Sequence, residues 1–165
     1  MKKFELTTDT KMFLGRKLFR IKALIDFGNV KAGEKGGYIE KEENLSQCGN
    51  AWVYGDAEVY GNAEVCGNAW VCGNAEVCGN AKVCGNAWVY GNADYATAKG
   101  FGSEYRTTTF FKLKDSNEIG VRCGCFYGTL KEFKEKVKET HGETKKAKEY
   151  LMLADLMEYR FSEEK

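Results

Sequence analysis

The chain has 165 residues, 43% hydrophobic and 30% charged, a composition that fits one ordinary domain or two small ones and argues against disorder. Its 25 Lys and Arg against 24 Asp and Glu leave a formal charge of +1, so no long-range field favours nucleic acid as a partner. The apolar runs are too short to span a bilayer. The opening Met1-Lys2-Lys3-Phe4-Glu5-Leu6 turns polar at once in Thr7 to Thr10, unlike an export signal. Seven cysteines are an odd number for a disulfide framework, so the expected setting is the cytoplasm with reduced thiols.

Residues 1–36 read as a strand and cap region. Lys3 to Leu6 and Leu14 to Leu24 are strand-like, and the polar Thr7 to Lys11 between them reads as a turn. Phe19 and Ile21 alternate with Arg20 and Lys22, offering one side to cover an exposed strand edge.

Residues 37–100 carry a strict repeat. From Gly49 the chain runs GNAWVY, GDAEVY, GNAEVC, GNAWVC, GNAEVC, GNAKVC, GNAWVY and GNADYA, eight consecutive hexads. Alternation puts Ala51 and Val53 inside and Trp52 and Tyr54 outside, while Gly-Asn or Gly-Asp turns the chain. Short strand and corner, three times over, predicts a three-sided parallel coil of eighteen residues with a narrow dry core. Upstream, Ile39 and Leu45 fall in the small-residue slot, and Lys41 and Gln47 fall where valines sit later, as in a looser capping coil.

Residues eighteen apart should then stack. Trp52, Trp70 and Trp88 form one outward column, with Tyr54, Cys72 and Tyr90 beside it. Glu58, Glu76 and Asp94 form a second, read as a solvated acidic face. Ser46, Glu64 and Lys82 form a third, flanked by Cys48, Cys66 and Cys84. Cys66 and Cys84 are near enough to bridge but project in parallel, so they read as compact surface filler. The indole column could stabilise itself, be covered by this chain or a second copy, or stack a planar ligand. A wet column of three indoles is unusually apolar for a monomer, so an interface formed by Trp52, Trp70, Trp88, Tyr54 and Tyr90 is the favoured reading.

Residues 101–165 read as a β-hairpin and two helices. Tyr105 to Leu113 and Ile119 to Phe126 are the strands, and Lys114-Asp115-Ser116-Asn117-Glu118 is the turn. Thr129-Leu130-Lys131-Glu132 is a capping box, followed by Leu130, Phe133 and Val137 on one helical face. After Thr140-His141-Gly142 a second helix runs from about Glu143 to Tyr159, with Ala147, Tyr150, Leu151, Ala154 and Met157 as its apolar stripe. Cys123 and Cys125 share one side of their strand and read as core. This module should pack on the last hexads or on a partner's aromatic face.

An aliphatic residue every six positions with a small one four places on, as in Val53 and Ala57 or Val59 and Ala63, resembles the hexapeptide-repeat proteins of the left-handed parallel β-helix class. The run Phe19 to Lys31, then Gly36 to Glu40 and Asn44 to Ser46, is similar to small bacterial and phage members, and Gly124 to Leu130 resembles a domain of some prophage members. The resemblance implies a mainly β fold, a three-sided left-handed parallel β-helix with an N-terminal β cap and a small α+β C-terminal module. Acyltransferases of that class use a histidine base beside a coil, and carbonic anhydrases use three. Here the one histidine, His141, lies outside the repeats.

The expected function is therefore a non-catalytic interaction or scaffold protein, a homo-oligomer with a host protein as alternative partner. If it is phage-encoded, the implied role is to inhibit a host defence component in the host cytoplasm. No catalytic residue, cofactor or metal ligand is singled out. A degenerate acyltransferase-like enzyme and small-molecule or nucleotide binding at an oligomer interface stand as alternatives.

Overall fold

The computed structural model describes residues 1–102, 104–114 and 116–162. Asp115, in the expected hairpin turn, lies outside them. The N-terminal strands are β1 (Phe4–Phe13), β2 (Arg16–Ala23) and β3 (Lys35–Ile39). The hexads supply seven two-residue strands: β4 (Trp52–Val53), β5 (Glu58–Val59), β6 (Glu64–Val65), β7 (Trp70–Val71), β8 (Glu76–Val77), β9 (Lys82–Val83) and β10 (Trp88–Val89). The C-terminal module holds β11 (Tyr95–Ala98), β12 (Thr108–Lys112), β13 (Ile119–Cys123), β14 (Phe126–Thr129), α1 (Leu130–His141) and α2 (Lys145–Phe161). Among the described residues, no helix is long and apolar enough to cross a membrane.

The three-sided left-handed parallel β-helix is not the architecture. The fold is mixed α+β, with four sheets in the orders β1-β2-β3-β5-β8, β10-β7-β4, β11-β12-β13-β14 and β6-β9, none of them curled or closed on itself. Two features produce the difference. Each hexad strand is only two residues long and is ended by a glycine turn, so no ladder continues from one side of the repeats to the next. The N-terminal strands then extend one side outward, because β3 pairs antiparallel with β2 and parallel with β5. That single sheet is mixed, as a uniform parallel coil would not be.

Within the repeats the eighteen-residue spacing holds. Trp52 pairs in parallel with Trp70, and Trp70 with Trp88; Glu58 pairs with Glu76, and Glu64 with Lys82. Alanines 51 to 87 and valines 53 to 89 are at most 1% exposed, forming the narrow core expected. The corner glycines need their left-handed backbone. Gly67 has φ 67°, and a Cβ there would stand 2.8 Å from the Gly85 nitrogen.

The first rung is phased differently from the expectation. Tyr38 pairs with Glu58, Ile39 with Val59, and Leu45 bridges Val65, a spacing of twenty residues. Ile39 and Leu45 therefore occupy valine positions, not the small-residue slot, and Lys41 and Gln47 lie outside the core. The two extra residues fall between Leu45, still twenty from Val65, and Trp52, eighteen from Trp70. The corner before them is a 3-10 turn at Glu42–Asn44, whose buried Asn44 donates its side-chain amide to Ala63 O at 2.8 Å.

At the N-terminus, Thr7 to Lys11 is strand rather than turn. Thr7 Oγ1 donates to Arg20 O at 2.8 Å, and a bulge between Leu6 and Thr10 absorbs the polar run. The turn falls instead at Leu14 and Gly15, both at positive φ. A second irregularity, between Arg20 and Lys22, breaks the Phe19/Ile21 alternation, so Leu18, Ile21 and Ala23 are the buried residues of β2.

The C-terminal hairpin pairs as expected, Phe110 with Val121. Flanking strands β11 and β14, not foreseen as strands, complete the sheet. Thr129 closes the capping box with Glu132, and Leu130, Phe133 and Val137 pack under Ala147, Tyr150, Ala154 and Met157. The module lies on the last hexads: Leu113 bridges Ala87, Lys114 N–H donates to Asn86 O at 2.8 Å, and Lys82 N–H donates to Thr109 Oγ1 at 3.0 Å.

Candidate functional site

The indole column is in register, but its members meet different surroundings. Trp52 is fully buried, set edge-on to Phe4 at 6.3 Å and Phe27 at 5.2 Å. It is packed so closely by β3 that a Cβ on Gly36 would come within 2.8 Å of its ring. This end of the column is structural within the chain. Trp70 and Trp88 are half-buried, edge to face at 5.9 Å, and Tyr54 lies 5.5 Å from Trp70. Lys114 places its ammonium 3.8 Å from the centre of the Trp70 ring, a cation–π contact. Tyr90 packs on Trp88 at 4.9 Å and remains 55% exposed. The five aromatic residues thus grade from core at Trp52 to open surface at Tyr90. Burial pushes the Tyr54 hydroxyl above its ordinary value, with Glu34 and Cys72 acting the same way.

The acidic column is not a uniformly solvated face. Glu58 is 7% exposed beneath β1 and pairs with Lys11. Tyr60 is buried there too, its hydroxyl donating to Glu76 Oε2 at 3.4 Å; desolvation first, then Cys78 and Glu76, raise it. Asp94 pairs with Lys112 at 3.1 Å. A β strand laid across this face was not visible in the hexads themselves.

The cysteine column departs from surface filler as well. Cys84 is 5% exposed, and Cys66 is half-buried. A cleft of about 390 Å³ opens between the repeats and the C-terminal sheet, lined by Lys82, Lys99, Arg106 and Arg122 against Glu64; neither cysteine lines it. The four cations come from β9, the residue after β11, β13 and the segment before β12, so no single motif announces them.

Cys123 is half-buried, with Thr108 Oγ1 donating to its sulfur at 3.2 Å, whereas Cys125 is exposed. They do not share a core face, because β13 ends at Cys123 and Gly124 turns the chain with φ 58°. His141 ends α1 and stacks on Tyr150 at 6.0 Å. No group of three His, Cys, Asp or Glu among the described residues is placed to hold a metal ion.

Neither a scan of protein-family models nor a search of curated proteins finds a match to this chain. With the sheet topology, this sets aside the expected membership of the left-handed β-helix hexapeptide-repeat family, together with its prophage C-terminal domain.

Proposed function

We propose that the chain is a protein-interaction module whose contact surface is the outer end of the aromatic column, Tyr54, Trp70, Trp88 and Tyr90, and whose first partner is a second copy of itself. The observation that carries this is the graded column: a rigid, in-register stack anchored at buried Trp52 presents its far end to solvent. Preorganised aromatic side chains lose little conformational entropy on contact and dominate interface energetics. The rim carries both signs, with Lys114 over Trp70 and the Lys112–Asp94 pair near Tyr90, whose backbone N–H donates to Asp94 Oδ2 at 2.8 Å. A patch of both charges can complement itself across a two-fold axis, and a net charge of +1 sets up little repulsion between copies. The proposed setting is the cytoplasm.

Light scattering during gel filtration tests it. The wild type should exceed the 18.5 kDa of one chain, and Tyr90→Glu, which adds a charge at an exposed position, should return it to that mass. Trp70→Ser should act in the same direction. A wild type that stays at one chain at high concentration overturns self-association as the function of this surface.

A further inference from the structure

The cysteine column holds two thiols on neighbouring strands. Val65 of β6 pairs with Val83 of β9 in parallel, so the next residues, Cys66 and Cys84, stand side by side, with the Cys66 N–H donating to Val83 O at 2.9 Å. Adjacent strands lie about 4.8 Å apart, inside the Cα separation of about 4.4–6.8 Å that disulfides span. The neighbouring Cys84 thiol first, opposed by burial and Glu64 and helped by Arg122 and Lys82, holds the Cys66 thiol down to about 7. The charged and titratable groups facing the pair are Glu64, Lys82 and Arg122, with Tyr127 of β14 lying over it.

We infer that Cys66 and Cys84 form a reactive dithiol site for small anionic disulfides, Cys66 attacking and Cys84 resolving. The cleft whose wall includes Glu64, Lys82 and Arg122, the charges that act on Cys66, fits that class, since Lys82, Lys99, Arg106 and Arg122 outnumber the single carboxylate of Glu64. The Arg122 Nε is buried and has no hydrogen-bond partner among the described residues, so an anion nearby would satisfy it.

The chemistry balances without a further reagent. The Cys66 thiolate attacks one sulfur of the small disulfide; its S–S bond breaks, one thiolate leaves, and a mixed disulfide remains on Cys66. Cys84 is held above its ordinary value chiefly by the neighbouring Cys66 thiol group, then by burial and the Cys66 charge. The first and last of these disappear once Cys66 is capped. Cys84 then loses its proton to solvent and attacks the Cys66 sulfur, expelling the second small thiolate. The protein pair is oxidised by two electrons and the small disulfide is reduced to two thiols.

Cys48 and Cys125, both exposed, serve as internal references. At pH 7 a thiol of pKa about 7 is half ionised, about sixteen-fold more than free cysteine near 8.5. The lower basicity costs about five-fold in nucleophilicity, leaving a net advantage of about three-fold. Iodoacetamide should therefore label Cys66 of the wild type about three-fold faster than free cysteine, and faster than either reference, with a rate that rises through pH 7. Oxidised glutathione should produce an intrachain Cys66–Cys84 disulfide by peptide mapping, and Cys84→Ala should stop at a glutathionyl group on Cys66. Labelling of Cys66 no faster than Cys48 and Cys125, or glutathionylation confined to those two with no bridge, overturns the site. The wild-type measurements decide the matter even if Cys84→Ala does not fold.

Discussion

The ammonium of Lys3 lies 2.8 Å from the carbonyl oxygen of Ala51 and 3.4 Å from that of Gly49, with the side chain only 1% exposed. A lysine thus closes the edge of the repeats where the chain begins its first hexad, and its charge sits 4.9 Å from the centre of the Phe27 ring. Gln47 completes the seal by accepting from the Lys3 N–H at 2.7 Å. Satisfying open backbone carbonyls is worth the desolvation of a cation here because the alternative is several buried acceptors with no donor.

That desolvation lowers Lys3 from an ordinary 10.5 to about 8, with only a small opposing effect of Cys48. A lysine with a lower pKa folded than unfolded weakens the fold while it is charged in both states. The penalty is complete below about pH 8. It is relieved as pH rises from about 8 to 10.5, where the unfolded chain binds the extra proton. Urea unfolding of wild type and Lys3→Met across that window should show the wild type gaining stability relative to the variant. A constant difference would mean that Lys3 does not titrate there.

Two tryptophans of one column should respond unequally to truncation. Trp52→Ala removes a fully buried indole wedged between Phe4, Phe27 and Gly36, and should cost about 3–5 kcal/mol. Trp88→Ala removes a half-buried ring and should cost about half as much. Thermal unfolding of both variants at low protein concentration, where association contributes least, separates them; equal losses would contradict the observed gradient.

The part of this arrangement legible in the sequence was whatever recurs locally. Eight hexads fixed which residues stack, as Trp52 on Trp70 and Val65 on Val83 show, because an in-register parallel ladder is the way an identical short strand repeats its neighbours. The Thr129 cap and the Phe110/Val121 hairpin were legible for the same reason: their partners lie within a few residues or across one turn. What escaped was everything set by contacts distant in sequence. Nothing in the hexads says that β1 will cover Glu58 while Glu64 stays open, or that β13 brings Arg122 to the Cys66 side. The mixed sheet escaped similarly, since β3 is an antiparallel partner to β2 and a parallel one to β5, and the N-terminal strands lie outside the repeat that sets the pairing of the hexads.

Helix α1 should depend measurably on its cap. Thr129 Oγ1 accepts from the Glu132 N–H at 3.2 Å and Glu132 Oε1 accepts from the Thr129 N–H at 3.4 Å. Thr129→Ala should cost about 1 kcal/mol and Thr129→Ser much less. Chemical denaturation of both checks this, and matched losses would show that the hydroxyl does not act as the cap.

Asn44 should be far less replaceable than its polar character implies. Its side-chain carbonyl accepts from the backbone N–H of Lys41 at 2.9 Å and of Glu40 at 3.2 Å, while its amide donates to Ala63 O at 2.8 Å and Gly61 O at 3.2 Å. One fully buried side chain therefore ties the first rung to the second across the place where the spacing is twenty residues instead of eighteen. Asn44→Leu is similar in size but leaves those backbone groups without partners, so the loss should reach about 3 kcal/mol. Asn44→Asp keeps the two acceptor bonds and loses the donors, setting a carboxylate against two carbonyl oxygens, and should cost as much or more at neutral pH. Protonation restores a single donor, so acidification should recover part of the Asn44→Asp loss and none of the Asn44→Leu loss. Unfolding free energies of the two variants at pH 7 and pH 4, each referred to wild type at the same pH, make the comparison; an Asn44→Asp deficit that does not shrink on acidification would remove the amide donors from the account of how the two rungs are joined.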